Sequence, residues 1–145
     1  PIKVAIFEGW CVGCPALPRI TLEQSPNKLE ACEDRDARWR GHVQEMLSGP
    51  YKEWFDFIDR LLFLKAPSWE IVADWRGDQE AKLRARCIRD GDNDCGVMDS
   101  RTLQRFLAHY QRWTVHMLDS LGQSADWVLS LDERRGVLRS VCRES

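Results

Sequence analysis

A glutamate closes the first apolar run of the chain, in Phe7-Glu8-Gly9-Trp10-Cys11-Val12-Gly13. A carboxylate at the C-terminal end of a buried strand stands at the edge where open α/β sheets bind ligands. There Glu8 can take a proton from a substrate hydroxyl or hold Mg2+ through water, and Gly9 and Gly13 let backbone approach a ligand closely. A strand-ending glutamate that caps a neighbouring helix has the same pattern, and periodicity does not separate the two.

Arg76 and Gln79 are three residues apart and share a helix face, with Arg76 able to fork two donors onto phosphate oxygens. Asp74, Asp78 and Glu80 lie close by with Arg84, Arg86 and Arg89, so an ordinary charged helix in water fits the same residues. Cys11-x-x-Cys14 after a strand suits a redox pair or half of a zinc site, with Cys87 and Cys95 as further ligands, but that second pair lacks tight spacing. No metal site is therefore assigned. His42, His109 and His116 share no ligand spacing with the cysteines and read as structural. The seven tryptophans fall mostly on helical apolar faces and read as core, with too little basic interleaving for a nucleic-acid platform.

The elements that must position these groups follow from periodicity. Residues 3–7 (KVAIF), 60–65 (RLLFLK) and 125–131 (ADWVLSL) are strand-like runs. Residues 11–27, with Pro15, Pro18 and Pro26, form a loop with at most a short helix. Helical patterns cover 34–47, 51–58, a long stretch from Pro67 toward Arg89, and 99–121 with Asp99 or Ser100 as cap. A short basic helix is expected after Leu131. Alternating strands and helices imply right-handed crossovers and a short parallel sheet of about three strands in one α/β domain, residues 1–145.

Lysine and arginine number 21 against 23 acidic residues, a formal net charge of -2, so no global field recruits nucleic acid or an anionic membrane. With 43% hydrophobic and 30% charged residues, the 145-residue chain is long enough to bury a two-layer core. No apolar run approaches the ~20 residues that span a bilayer, and no secretory signal opens the chain, so a cytoplasmic location is expected. The six irregularly spaced cysteines then read as reduced thiols.

The segment FEGWCVG resembles the strand-end motif of the P-loop kinases related to D-glycerate 3-kinase and to uridine and pantothenate kinases. Further segments resemble that family in the same order: Ser25-Pro26-Asn27-Lys28-Leu29-Glu30, Ala66-Pro67-Ser68-Trp69, Asp74-Trp75-Arg76 with Gln79-Glu80, Gly96-Val97-Met98-Asp99, His109-Tyr110-Gln111-Arg112, and Ala125-Asp126-Trp127-Val128-Leu129. The resemblance implies a three-layer P-loop kinase-like fold and transfer of the ATP γ-phosphoryl group, with Mg2+, to a hydroxyl of a small glycerate-like acid. It implies Glu8 as the catalytic carboxylate and Arg76, Gln79 and Arg112 as nucleotide contacts, the first two in a lid. It also implies Gly9, Trp10, Asn27 and Tyr110 as substrate contacts. For Arg112 a helix-surface ion pair is the alternative.

No Gly-rich run ending in Gly-Lys-Ser/Thr occurs in residues 1–145, whereas P-loop catalysis cradles phosphates in such a run. The resemblance places that loop and its strand upstream of residues 3–7. The expectation is a kinase-family chain inactive alone, or else a non-catalytic partner or regulatory module derived from such a kinase. The strand edges beside 3–7 and 60–65 are expected to be covered by a rearranged sheet, a homo-oligomer or a separate N-terminal half.

Overall fold

The computed structural model of the protein describes residues 2–18, 22–92 and 95–143; parts of the loops expected around 11–27 and 90–95 therefore lie outside the described residues. Its elements are α1 (Lys28–Glu33), α2 (Arg38–Ser48), α3 (Pro50–Phe55), β1 (Leu62–Lys65), α4 (Trp69–Asp90), α5 (Ser100–Ser120), a 3-10 turn (Leu121–Gln123), β2 (Trp127–Leu131) and β3 (Val137–Cys142).

Short polar side chains start most helices by accepting orphan backbone N–H groups. Asn27 accepts from Glu30, Ser68 from Ile71 and Asp99 from Thr102. Ser68 as the cap puts Pro67 one residue ahead of the cap rather than in the first turn of α4. Ala37, at φ 56°, offers α2 no side-chain cap; Asp34 serves instead, its carboxylate accepting from the N–H groups of Trp39 (2.9 Å) and Arg40 (3.1 Å). Gly91, in the left-handed region at φ 69°, ends α4.

The fold is α/β, with a three-stranded sheet flanked by helices and ordered β1-β2-β3. β1 and β2 run parallel, with Leu62 opposite Trp127 and Leu64 opposite Leu129. β2 and β3 are antiparallel, with Val128 opposite Val141, so the sheet is mixed. Two of the expected strands are present, and the third differs. Residues 3–7 form no strand, and Val4 and Ile6 are exposed; a β-rich run with no ladder beside it gains no strand hydrogen bonds. The short basic helix expected after Leu131 is a hairpin instead. Asp132 Oδ1 accepts from the N–H groups of Arg134 (2.8 Å) and Gly136 (2.6 Å), Arg135 takes φ 67°, and Val137–Cys142 fills the second edge of β2.

Helix α5 is the spine of the core: Trp113, Met117 and Leu121 pack with Leu47 and Cys14, and Phe63, Leu61, Phe55 and Val43 surround them. Polar clamps fasten the N-terminal loop to this core. Gln44 accepts from the Leu17 N–H at 2.8 Å and donates to the Leu17 carbonyl at 2.6 Å. The opposite face of the sheet, with Leu62, Leu64, Trp127 and Leu138, is exposed. Among the described residues no helix is long and apolar enough to cross a membrane.

Candidate functional site

One face of α5 carries Phe106, Tyr110 and Thr114 at steps of four, and the segment around the EGW run lies against it. Trp10 stacks on Tyr110 with ring centroids 4.7 Å apart and planes 12° from parallel. Its indole N–H donates to Thr114 Oγ1 at 3.0 Å, while the Thr114 hydroxyl donates to the Tyr110 carbonyl at 2.9 Å. Phe106 extends the patch, 5.0 Å from Tyr110 and 6.4 Å from Trp10. The turn that aims Trp10 depends on Gly13, whose φ of 75° is left-handed and whose missing Cβ would stand 2.9 Å from Leu61 Cδ2. Glu8 and Gly9, chain neighbours of Trp10, are exposed.

Arg76 joins this patch from α4. Its guanidinium carbon lies 5.5 Å from the Phe106 ring centroid, and Nη2 is 2.5 Å from Glu80 Oε1. The other Glu80 oxygen accepts from the Met98 N–H at 3.0 Å. Gln79 is exposed, and its side chain makes no hydrogen bond among the described residues. The structure thus brings Trp10, Tyr110 and Arg76 together through Phe106, with Glu8 and Gly9 at the margin.

Arg112 and Asn27 are placed differently. Arg112 is buried and grips the equally buried Glu30, with Nη2 2.5 Å from Oε2 and Nε 3.1 Å from both carboxylate oxygens; Nη2 also donates to the Gln24 carbonyl. Asn27 caps α1 with its oxygen, while its amide donates to the Ala108 carbonyl (2.9 Å) and Gln111 Oε1 (3.0 Å). Both side chains bind α1 to α5.

No group of three or more His, Cys, Asp or Glu suited to a metal occurs among the described residues. Burial pushes the Cys11 thiol up to about 11; burial, with Cys11 beside it, pushes Cys14 up to about 12, so neither is a ready thiolate. Cys87 and Cys95, expected as reduced thiols, form a disulfide. The turn at Gly91 brings their Cα atoms to 6.2 Å. Shallow open concavities beside that bridge, lined by Arg84, Ile88 and Asp92, lie at the far end of α4 from Arg76.

The chain resembles two curated proteins at low identity. It is 26% identical over 146 residues to the chloroplastic D-glycerate 3-kinase of Arabidopsis thaliana, a match spanning 95% of this chain and 28% of the plant protein. It is 30% identical over 121 residues to the uncharacterized kinase mug58 of Schizosaccharomyces pombe, spanning 80% of this chain and 38% of the yeast protein. This chain is distantly similar to kinases. It covers about a third of the length of these relatives. No protein-family model matches it, and no solved structure does.

The sequence alone gives Phe106, Thr114, Glu80 and Met98 no site role. The step of four through Phe106, Tyr110 and Thr114 is a usable signal. The reach of Glu80 to a backbone amide 18 residues away has none.

Proposed function

We propose that this chain is part of an ATP-dependent small-molecule kinase acting on a hydroxy acid of the glycerate class. The observation that carries the reading is the convergence of Arg76, Trp10 and Tyr110, drawn from three separate segments, on one face of α5. Two kinases as distant relatives support it.

The residues fit a nucleotide in part. Arg76 keeps its side chain 23% exposed, so guanidinium donors remain within reach of phosphate oxygens. Arg112 would have to release Glu30 to do the same. Glu8 is the group assigned to the substrate hydroxyl, or to Mg2+ through water, with Gly9 and Trp10 beside it. ATP supplies the phosphoryl group; this chain's residues bind, orient and deprotonate. The surface around Leu62, Leu64 and Trp127 is where the rest of a kinase domain would pack, in the cytoplasm, since parallel strands are normally covered on both faces.

The test is calorimetric titration of the chain with ATP·Mg2+ and with D-glycerate. Binding of ATP·Mg2+ that weakens about tenfold or more in Arg76→Ala, the loss of a charge-assisted hydrogen bond, supports the reading. A chain that binds neither compound, alone and when extended to the length of its kinase relatives, refutes it and leaves a non-catalytic module derived from such a kinase.

A further inference from the structure

Glu80 is a buried carboxylate, its side chain 6% exposed, on a helix otherwise rich in exposed charge. A group so placed is costly unless each oxygen finds a donor. One oxygen takes the Met98 N–H, from the loop that precedes α5, and the other takes Arg76. Arg84 closes the circuit by donating to the Met98 carbonyl at 3.0 Å. The Glu80 carboxylate is thereby pinned to backbone, and Arg76 is held on one side by that carboxylate and on the other by the Phe106 ring.

We propose that Glu80 is the positioning residue for Arg76, fixing the guanidinium against α5 so that its free donors face phosphate; this rests on the kinase reading above. A free arginine side chain samples many rotamers, and a fork already held in place loses less freedom on binding. In protein kinases the phosphate-binding lysine is likewise held by a glutamate.

The opposing effect has the opposite sign. If Glu80 merely neutralises Arg76, removing its charge strengthens anion binding. Two variants separate these effects. Glu80→Asp keeps the charge but is one methylene too short to reach both partners. Glu80→Gln keeps the reach and can still accept from Met98 but loses the charge. Positioning predicts that inorganic tripolyphosphate binds roughly tenfold more weakly to both variants. It also predicts that the Arg76 Nε–Hε nuclear magnetic resonance signal, assigned by its loss in Arg76→Lys, moves toward the signals of exposed arginines.

Unchanged binding in Glu80→Asp with tighter binding in Glu80→Gln overturns the proposal. So does an unmoved Arg76 signal in both variants. Wild-type chain that binds no tripolyphosphate counts against phosphate binding by this face on its own, while the Arg76 signal still decides whether Glu80 fixes Arg76. If one variant fails to fold, the other carries the test.

Discussion

Replacing Arg112 by methionine separates the two roles open to this residue. Methionine keeps the length and apolar stem of the side chain and removes the guanidinium. In the fold, Arg112 and Glu30 have side chains 7% and 10% exposed, so removing one partner leaves a buried carboxylate with its main donors gone. Breaking such a pair costs about 3–5 kcal/mol. The Gln24 carbonyl also loses a donor. For a chain of this size that corresponds to a fall in Tm of roughly 6–20 °C. Urea unfolding followed by tryptophan fluorescence measures it without any ligand. The double variant Arg112→Met/Glu30→Leu removes both charges and should recover much of the loss, because a hydrophobic replacement of a buried pair is often neutral. A single variant within about 1 kcal/mol of wild type, the threshold of an exposed pair, refutes the structural role and returns Arg112 to the phosphate reading.

The Cys87–Cys95 bridge closes a loop between residues eight apart, worth about 2.5 kcal/mol on the chain-entropy account. A dithiol reductant should lower Tm in wild type and not in Cys87→Ser/Cys95→Ser; denatured, unreduced protein should show four of its six cysteines as thiols, and six would refute the pairing. His116 sits with Nε2 buried and without a partner, and burial lowers its affinity for protons despite the Pro15 and Ala16 backbone and Asp119 acting the other way. Its folded form therefore holds fewer protons than its unfolded form below the ordinary value of 6.5. Stability should hold above that pH and decline as pH falls through it toward the lowered folded value. Thermal melts from pH 7.5 to 5.5 should show this slope in wild type and lose it in His116→Gln.

The long helices are legible in the sequence because α4 and α5 carry clear boundary signals: Ser68 and Gly91 bound one, and Asp99 begins the other. Strand runs are legible as apolar segments, but pairing is not. Residues 3–7 read as a strand and the segment holding Val137–Cys142 as a short basic helix, and in both a partner strand decides the outcome. The Asp132 turn folds 137–142 back onto β2, whereas nothing among the described residues offers 3–7 a ladder. In the site, Arg76 stands out as a forked donor, and Glu80 is visible as one of several acids on α4. Only tertiary structure selects Glu80 from Asp74 and Asp78, because burial and the Met98 amide belong to a segment the helix pattern does not contain. Likewise the HYxR pattern holds Tyr110 and Arg112 two residues apart, yet that spacing points them to different neighbours, Trp10 for one and Glu30 for the other.

Charge sets a limit on what this face of α5 does by itself. A triphosphate brings several negative charges. Against them the patch offers Arg76, already paired with Glu80, while Arg112 is occupied by Glu30 and Arg105 by Glu33. One arginine whose charge is shared can orient a phosphoryl group but supplies a minor part of the field that phosphoryl transfer requires, where metal, lysine and backbone amides act together. The aromatic surface is better matched to ligand binding, because Trp10 and Tyr110 are rigid and Trp10 is anchored by the Thr114 hydroxyl, so a ligand meets a preformed wall. The patch is therefore suited to be one side of a cleft whose remaining cations come from outside it. Extending the chain to the length of its kinase relatives should raise ATP·Mg2+ affinity by far more than any substitution at Arg76 lowers it; equal affinity for the short and the extended chain would contradict this.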